Sequence, residues 1–502
     1  MNGSLLVCGT SSDAGKSVVV AGLCRFLRDR GVRVAPFKAQ NMSLNSAVTT
    51  AGEEIGRAQA AQAFAAGVEP EAAMNPILIK PMTERDAQVV VMGRPAATSD
   101  ALGYGDRVPE LEEVVLDAYG SLRARFDVVV CEGAGSLAEF NLRDRDLVNL
   151  GFARSTDTPV VVVADIDRGG SFATLFGSLA LLDPGDQALV GGFLLNKSRG
   201  DPRLLDEGLA RFSRLTGRPF YGVLPWIRGV AVDAEDALAV RSSDGTGFGG
   251  GRPLSVAVVR LPSMSNFTDF DPLLLEPRVA VRFTTAPAEV AEADLVVLPG
   301  SKSTVADLRA LRGWGLDEAL AARARAGRPI LGICGGFQML GRHIVDEVES
   351  RAGEAAGLGL LPVVTEFGSD KVLARRVGRA PGFDMPVEGY EIRHGRPRVL
   401  AGDALFESGD GPEGSVDGAV CGTSWHGIFE ADGFRRAFLA AVAERARVDW
   451  EPGDFSFAEV REEQSRRLGG LIAAHADTDG LLGLIENGAR PDLPVVAPAG
   501  VP

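Results

Sequence analysis

From the N-terminus to about Trp226, short apolar runs alternate with longer amphipathic stretches, a pattern that predicts β-α repeats closing a parallel sheet. The runs expected as strands are Leu5–Cys8, Val32–Phe37, Asp127–Cys131, Pro159–Ala164, Ala188–Leu195 and Phe220–Leu224. Helices are expected in the intervals, among them Lys16–Arg30, Glu53–Ala66 and Pro202–Leu215. Between Ser242 and Gly251 the chain is mostly glycine, serine and threonine. Such a stretch cannot bury enough apolar surface to hold one shape, so it reads as a flexible connector and a domain boundary. A second α/β pattern begins at Leu254, carries strands Leu295–Leu298 and Pro329–Ile333 with a helix after each, and fades near Trp450. Val460–Gly488 reads as one or two helices packed on the outside, and the Pro/Ala-rich end after Ala489 as disordered. The expected division is residues 1–228, a linker 229–252, a second domain 253–450 and a C-terminal extension 451–502.

Composition agrees with two folded domains and narrows the partners. A chain of 502 residues is too long for one hydrophobic core, and 45% hydrophobic with 24% charged residues is the balance of an ordinary globular protein. The formal charge of -15 argues against a broad nucleic-acid or anionic-membrane surface, so any anionic ligand needs a focused pocket. Five widely spaced cysteines without a C-x-x-C pair fit a reducing compartment. With no basic n-region before the first apolar stretch and no apolar run of about 18 residues, a cytoplasmic protein is expected.

Two constellations carry chemistry. The first strand runs into Gly9-Thr10-Ser11-Ser12-Asp13-Ala14-Gly15-Lys16-Ser17, a glycine-bounded loop that opens a helix. Backbone N–H groups of such a loop cradle phosphate, Lys16 reaches the terminal phosphates, and Ser17 ligates magnesium. Five residues rather than the usual four separate Gly9 from Gly15, and Thr10 stands where the first glycine would be. Glu132, at the end of strand Asp127–Cys131, is the expected second metal ligand, and Lys38 after strand Val32–Phe37 a phosphate contact. Asn196 lies at a corresponding strand end and is expected to read the nucleotide base; Asp165 and Asp167 could hold metal or position substrate.

The second constellation is Gly332-Ile333-Cys334-Gly335-Gly336, a strand ending in Gly-x-Cys-x-Gly before a helix. Small neighbours permit the sharp turn of a nucleophile elbow, and the helix N-terminus favours thiolate. Of the four histidines, His426 lies in a glycine-flanked loop as a catalytic base should, whereas His343 is expected on the helix after the nucleophile and His475 in the terminal helix. Gly300, in Pro299-Gly300-Ser301-Lys302, and Gly335 would supply backbone donors to a tetrahedral oxyanion.

With Ala35-Pro36-Phe37-Lys38-Ala39-Gln40-Asn41-Met42-Ser43-Leu44-Asn45-Ser46, Glu54-Ile55-Gly56-Arg57-Ala58-Gln59-Ala60 and Met74-Asn75-Pro76 added, the chain resembles the CobQ-type cobyric acid synthases over nearly its whole length. The loop spacing resembles dethiobiotin synthetase, and the Cys334, His426 and Pro-Gly-Ser motifs resemble the class I glutamine amidotransferases. The resemblance implies an ATP-binding parallel-sheet domain of dethiobiotin-synthetase type followed by an amidotransferase-like α/β domain. It also implies ATP and magnesium, and glutamine and a corrinoid as substrates. Class I enzymes carry a glutamate two residues after the histidine, where this chain has Ile428, so a Cys334–His426 dyad is expected. Arginine at position 393 replaces an expected histidine, which leaves His394 without an assigned role. Cobyrinic acid a,c-diamide synthase is the nearest rival reading. A P-loop positioning ATPase with an inactive glutaminase relative is a rival of another class, opposed by Ser11, where those ATPases have lysine.

Overall fold

Valines buried on both faces build the first sheet: Val128, Val129 and Val130, and Val160 to Val163, are each at most 2% exposed, as a parallel sheet covered on two sides requires. The computed structural model describes residues 1–82, 86–227 and 252–497. The sheet runs Phe220–Pro225, Val190–Ser198, Val160–Asp165, β1 (Gly3–Gly9), Val128–Glu132, Val34–Phe37, and every pairing is parallel. Chain order reverses beside β1, so a crevice opens outside its C-terminal end. Helix α1 (Lys16–Asp29) starts there.

An insertion follows Val34–Phe37. Strand Ser46–Val48 pairs antiparallel with Glu54–Gly56, so the helix expected from Glu53 begins only at Arg57, as α2 (Arg57–Ala66). A four-stranded sheet of Gln40–Met42, Ile77–Pro81, Asp86–Val91 and Arg94–Asp100 lies beyond it. The second domain has its own sheet, ordered Val279–Thr284, Leu254–Val259, Leu295–Leu298, Ile330–Ile333, Val420–Thr423, Ser415–Asp417. A long hairpin, Val363–Ala380 with Met385–Val399, projects from it. That hairpin meets the insertion, where Val48 shares an apolar cluster with Leu373, Tyr390 and Ile392. The junction is tied by Lys371 Nζ to Glu54 Oε2 at 2.6 Å and Arg57 Nη2 to Glu430 Oε1 at 2.6 Å.

The C-terminal helices do more than decorate the outside. Helices Phe457–His475 and Thr478–Asn487 return to the first domain, where Leu468, Ile472, Leu481 and Leu484 join the core of Leu5, Val7 and Val20. Arg25 on α1 pairs with Glu462 at 2.7 Å. The disordered tail expected after Ala489 is corrected as far as residue 497. Buried Gln187 needs partners, and the Val496 backbone supplies both, its N–H donating to Oε1 and its carbonyl accepting from Nε2, each at 2.8 Å. Buried Arg218 likewise donates to Pro494 O at 3.0 Å. The connector expected at 229–252 falls almost wholly outside the described residues. Among the described residues no helix is long and apolar enough to cross a membrane.

Candidate active sites

At the end of β1 the loop Gly9–Ser17 turns into α1, and Lys16 folds back over it. The lysine is 6% exposed, and its Nζ donates to Ser11 O and Gly135 O, each at 3.0 Å, which aims the charge across the mouth of the loop. Ser17 Oγ donates to Glu132 Oε1 at 2.8 Å, and the same carboxylate receives Lys38 Nζ at 3.0 Å and the Gln62 amide. Burial would raise the Glu132 carboxyl, but Lys38, Gln62 and Ser17 together hold it below its ordinary range. The structure thus brings Lys16, Ser17, Lys38 and Glu132 to one place.

The other predicted loop residues hold the loop's shape. Thr10 N–H donates to Val163 O at 3.0 Å, so its peptide belongs to the sheet rather than to a phosphate cradle. Asp13 has φ 57°, accepts Lys197 Nζ on its carbonyl at 2.6 Å and faces Arg168 at 3.4 Å. Gly15 is the residue before α1. Asn196 is buried and donates its amide to Ala14 O at 3.0 Å; the amide expected to read a base is engaged in bracing the loop. Asp165 pairs with Lys197 at 2.8 Å and Asp167 with Arg199 at 2.6 Å, so both acids are neutralised by cations. Among the described residues no group of three or more His, Cys, Asp or Glu side chains could hold a metal ion. What Ser17 and Glu132 offer is two adjacent hard oxygens. That suits magnesium, which keeps several waters and takes its other ligands from substrate phosphates.

In the second domain, strand Ile330–Ile333 ends at Cys334, whose φ of 49° and ψ of -106° are a strained conformation for a residue with a side chain. Its N–H donates to Thr423 O at 2.7 Å, which holds the elbow against the strand leading to His426. His426 is 1% exposed and stacks on Tyr390, with Nδ1 2.7 Å from Asp269 Oδ2. Asp269 also accepts Gly427 N–H at 2.8 Å, so one carboxylate fixes both the ring and its loop. Burial pulls the imidazole down, but Asp269 and then Cys334 outweigh it and push His426 up to about 10. The site is thus a buried cysteine facing an imidazole that is backed by a carboxylate.

Asp269 is the residue the sequence reading missed. It lies 157 positions before the histidine and fills the place that Ile428 leaves open, whereas Glu430 is committed to Arg57 and Arg461. Of the two predicted oxyanion glycines, Gly335 follows Cys334 in the chain and Gly300 lies against the His426 ring. A Cβ on Gly300 would come within 2.6 Å of the His426 ring, and one on Gly335 within 2.8 Å of Ser301 N, so neither position has room for a side chain. His343 is not on a helix: that helix ends at Leu340, and His343 starts the strand His343–Asp346 after the turn at Gly341. His475 closes its helix, as expected. His394 lines the cysteine pocket, its Nδ1 3.1 Å from Gly368 O, and burial keeps it below the ordinary histidine range. The same pocket is walled by Lys302, Gln338, Lys371 and, from the first domain, Lys80.

The comparisons with known proteins divide the chain at the same place as the two sites. Residues 5–239 match the model of the CobQ/CobB/MinD/ParA nucleotide binding domain, and residues 255–434 that of the CobB/CobQ-like glutamine amidotransferase domain. A protein of Frankia casuarinae named cobyric acid synthase is 54% identical, over 99% of each chain. Proteins of the same name from Streptomyces avermitilis and Nocardia farcinica are 56% and 54% identical, again over 99% of each chain. With likeness of that order sustained through both the Lys16 loop and the Cys334 elbow, the chain belongs to the cobyric acid synthase family of glutamine amidotransferases.

Proposed function

We propose that the chain converts cobyrinic acid a,c-diamide, or its adenosyl form, to cobyric acid by ATP-dependent amidation of carboxylates b, d, e and g, with nitrogen drawn from glutamine. One observation carries this reading beyond the names of relatives: the wall of the cysteine pocket is completed by Lys80 of the P-loop domain, so the two chemistries share one structure. A positioning ATPase with an inactive glutaminase relative does not account for this together with an intact Cys334, His426 and Asp269; the diamide synthase shares both halves, and against it stand the Gln40–Ser46 and Glu54–Ala60 runs.

The proposed reaction has two halves. The Cys334 thiolate attacks the side-chain amide carbon of glutamine, and the oxyanion that develops sits between the backbone donors of Gly300 and Gly335. His426, protonated and oriented by Asp269, gives its proton to the departing nitrogen; it then takes one from the water that cleaves the thioester to glutamate. In the first domain, a corrinoid carboxylate attacks the γ-phosphate of ATP, which replaces an oxide leaving group by phosphate, and ammonia displaces that phosphate. Lys16 and Lys38 face the charge that develops on the phosphoryl oxygens. Ser17 and Glu132 would hold magnesium, which when bound neutralises phosphate charge.

The direct test is to incubate the protein with ATP, magnesium, glutamine and each corrinoid intermediate and count added amides by mass. Four amides gained by the a,c-diamide are expected. Two amides gained by cobyrinic acid and none by its diamide would mean the rival synthase.

Asp269→Asn is expected to slow glutamate formation by about 10²-fold or more while leaving ammonium-supported amidation unchanged, because it disturbs only the base. The pH profile adds a second readout. His426 must be protonated to release ammonia, and its raised value of about 10 keeps it so through neutrality; activity is lost as pH rises through that value. Since Asp269 is the largest influence raising it, the substitution should move this alkaline limb to lower pH. An unmoved limb with normal turnover would remove Asp269 from the mechanism.

A further inference from the structure

A charge taken out of water is costly unless an opposite charge meets it, and the cysteine pocket holds one lysine more than its carboxylates meet. Lys80, Lys302 and Lys371 all line the pocket, each side chain 4% exposed. Lys302 pairs with Glu349. The other two share a single acid: Lys80 Nζ donates to Glu54 Oε1 at 2.5 Å and Lys371 Nζ to Glu54 Oε2 at 2.6 Å. The remaining basic groups of the pocket are matched one to one, Arg393 by Glu391 at 2.7 Å and His426 by Asp269 at 2.7 Å. Three ammonium groups therefore stand against two carboxylates. They lie within one another's field, since burial holds Lys371 down to about 8 and Lys80 and Lys302 push the same way, against Glu54.

The surplus charge has a direction. Among the described residues Lys80 Nζ has two partners, Glu54 and Ser46 Oγ at 2.9 Å, which leaves the third of its N–H donors for a ligand in the pocket that it lines. Lys80 belongs to strand Ile77–Pro81 of the first domain, yet its place in the second is fixed. Ser46, on which it rests, donates its N–H to Asn266 Oδ1 at 3.1 Å, and Asn266 opens the turn Phe267–Phe270 that carries Asp269. One contact thus joins the lysine to the turn that orients His426. Glutamine offers Cys334 its side-chain amide, and its other end carries a carboxylate and an ammonium. The carboxylate suits the surplus cation. For the ammonium the acid on the pocket wall is Glu349, the one carboxylate among the residues lining it.

Resting on the function proposed above, we propose that Lys80 of the P-loop domain, with Lys371 beside it, binds the α-carboxylate of glutamine while Glu349 receives its α-ammonium, so that the synthetase half selects the nitrogen donor of the glutaminase half. Lys80 is a specificity-determining residue here, and the chemistry stays with Cys334 and His426.

The test measures kcat and KM for ammonia release by the full-length protein, with ATP and magnesium present, from three amides. These are glutamine, γ-aminobutyramide, which is glutamine without its α-carboxylate, and glutaramate, which lacks the α-ammonium. Lys80→Met should lower kcat/KM for glutamine by about 30-fold, chiefly through KM, the scale of one hydrogen bond to a charged group. Turnover of γ-aminobutyramide and amidation from ammonium should stay within about twofold of wild type. Lys80→Arg, which keeps the charge, should recover most of the loss. Glu349→Gln should weaken glutamine in the same way and leave glutaramate unchanged. Calorimetric binding of the same three amides to Cys334→Ala protein repeats the comparison without turnover, and melting temperatures identify any variant that has lost its fold. An equal fall for glutamine and γ-aminobutyramide in Lys80→Met would reduce the lysine to a support of the pocket wall and overturn the proposal, as would an unmoved glutamine KM. A wild-type protein that hydrolyses no glutamine at all would fail the functional reading itself, which is a distinct result.

Discussion

Cys334→Ala is expected to abolish amidation from glutamine, by about 10⁶-fold, as removal of a covalent nucleophile does elsewhere, while high ammonium continues to support the reaction. The expectation follows from how the residue is held. A cysteine that served only to fill space would not need φ of 49°, an N–H locked to Thr423 O, or glycines at 300 and 335 that let the His426 ring and Ser301 pack close around it. Cys334 is 5% exposed and shares its pocket with a histidine whose Nδ1 lies 2.7 Å from Asp269 Oδ2. Nothing in the Lys16 loop depends on the sulfur, so the phosphoryl half should proceed with ammonia supplied from outside. His426→Ala should share this phenotype. Retained glutamine-dependent product from Cys334→Ala would refute the assignment, and loss of ammonium-dependent product would mean that the elbow supports the fold of both halves.

Both loops were legible in the sequence because each is a local device. Gly9–Ser17 and Gly332–Gly336 are read from consecutive residues, with a strand before and a helix after, and the structure forms them in that way. What was illegible is non-local. Asp269 completes the histidine site from 157 residues away, and no spacing rule links a Phe-Thr-Asp run to a later histidine. The C-terminal helices looked like an appendage because their apolar stripe names no partner; the partners are helix α1 and strands of the first sheet, nearly the whole chain earlier. The expected long helix after Cys334 stops at Leu340, where Gly341 takes an extended conformation and turns the chain into a strand. Glu53–Ala66 read as one helix, but its first residues pair with Ser46–Val48, and that pairing carries Glu54 to the domain junction. Local propensity lost there to a tertiary contact.

Lys16→Ala is expected to eliminate amidation with either nitrogen source, by about 10³-fold or more, the scale on which one preorganised charge contact in a water-poor site acts on the barrier. The geometry gives the reason. Lys16 is nearly buried, and its ammonium rests on Ser11 O and Gly135 O, two carbonyls on either side of the loop mouth, so its position is set before any phosphate arrives. Alanine would leave those carbonyls facing the place where negative charge develops, turning a stabilising field into a repulsive one. Glu132→Gln should weaken the same step by removing the carboxylate that Ser17 and Lys38 share, with partial recovery at raised magnesium. A purely structural role for Lys16 makes a different forecast, a lower melting temperature with normal turnover in the protein that remains folded. ADP release by well-folded Lys16→Ala, with ammonium and corrinoid saturating, decides between them. Glutamine hydrolysis offers an internal control, since Cys334 and His426 are untouched. Near-normal ADP release would show that this loop is not where the carboxylate is activated.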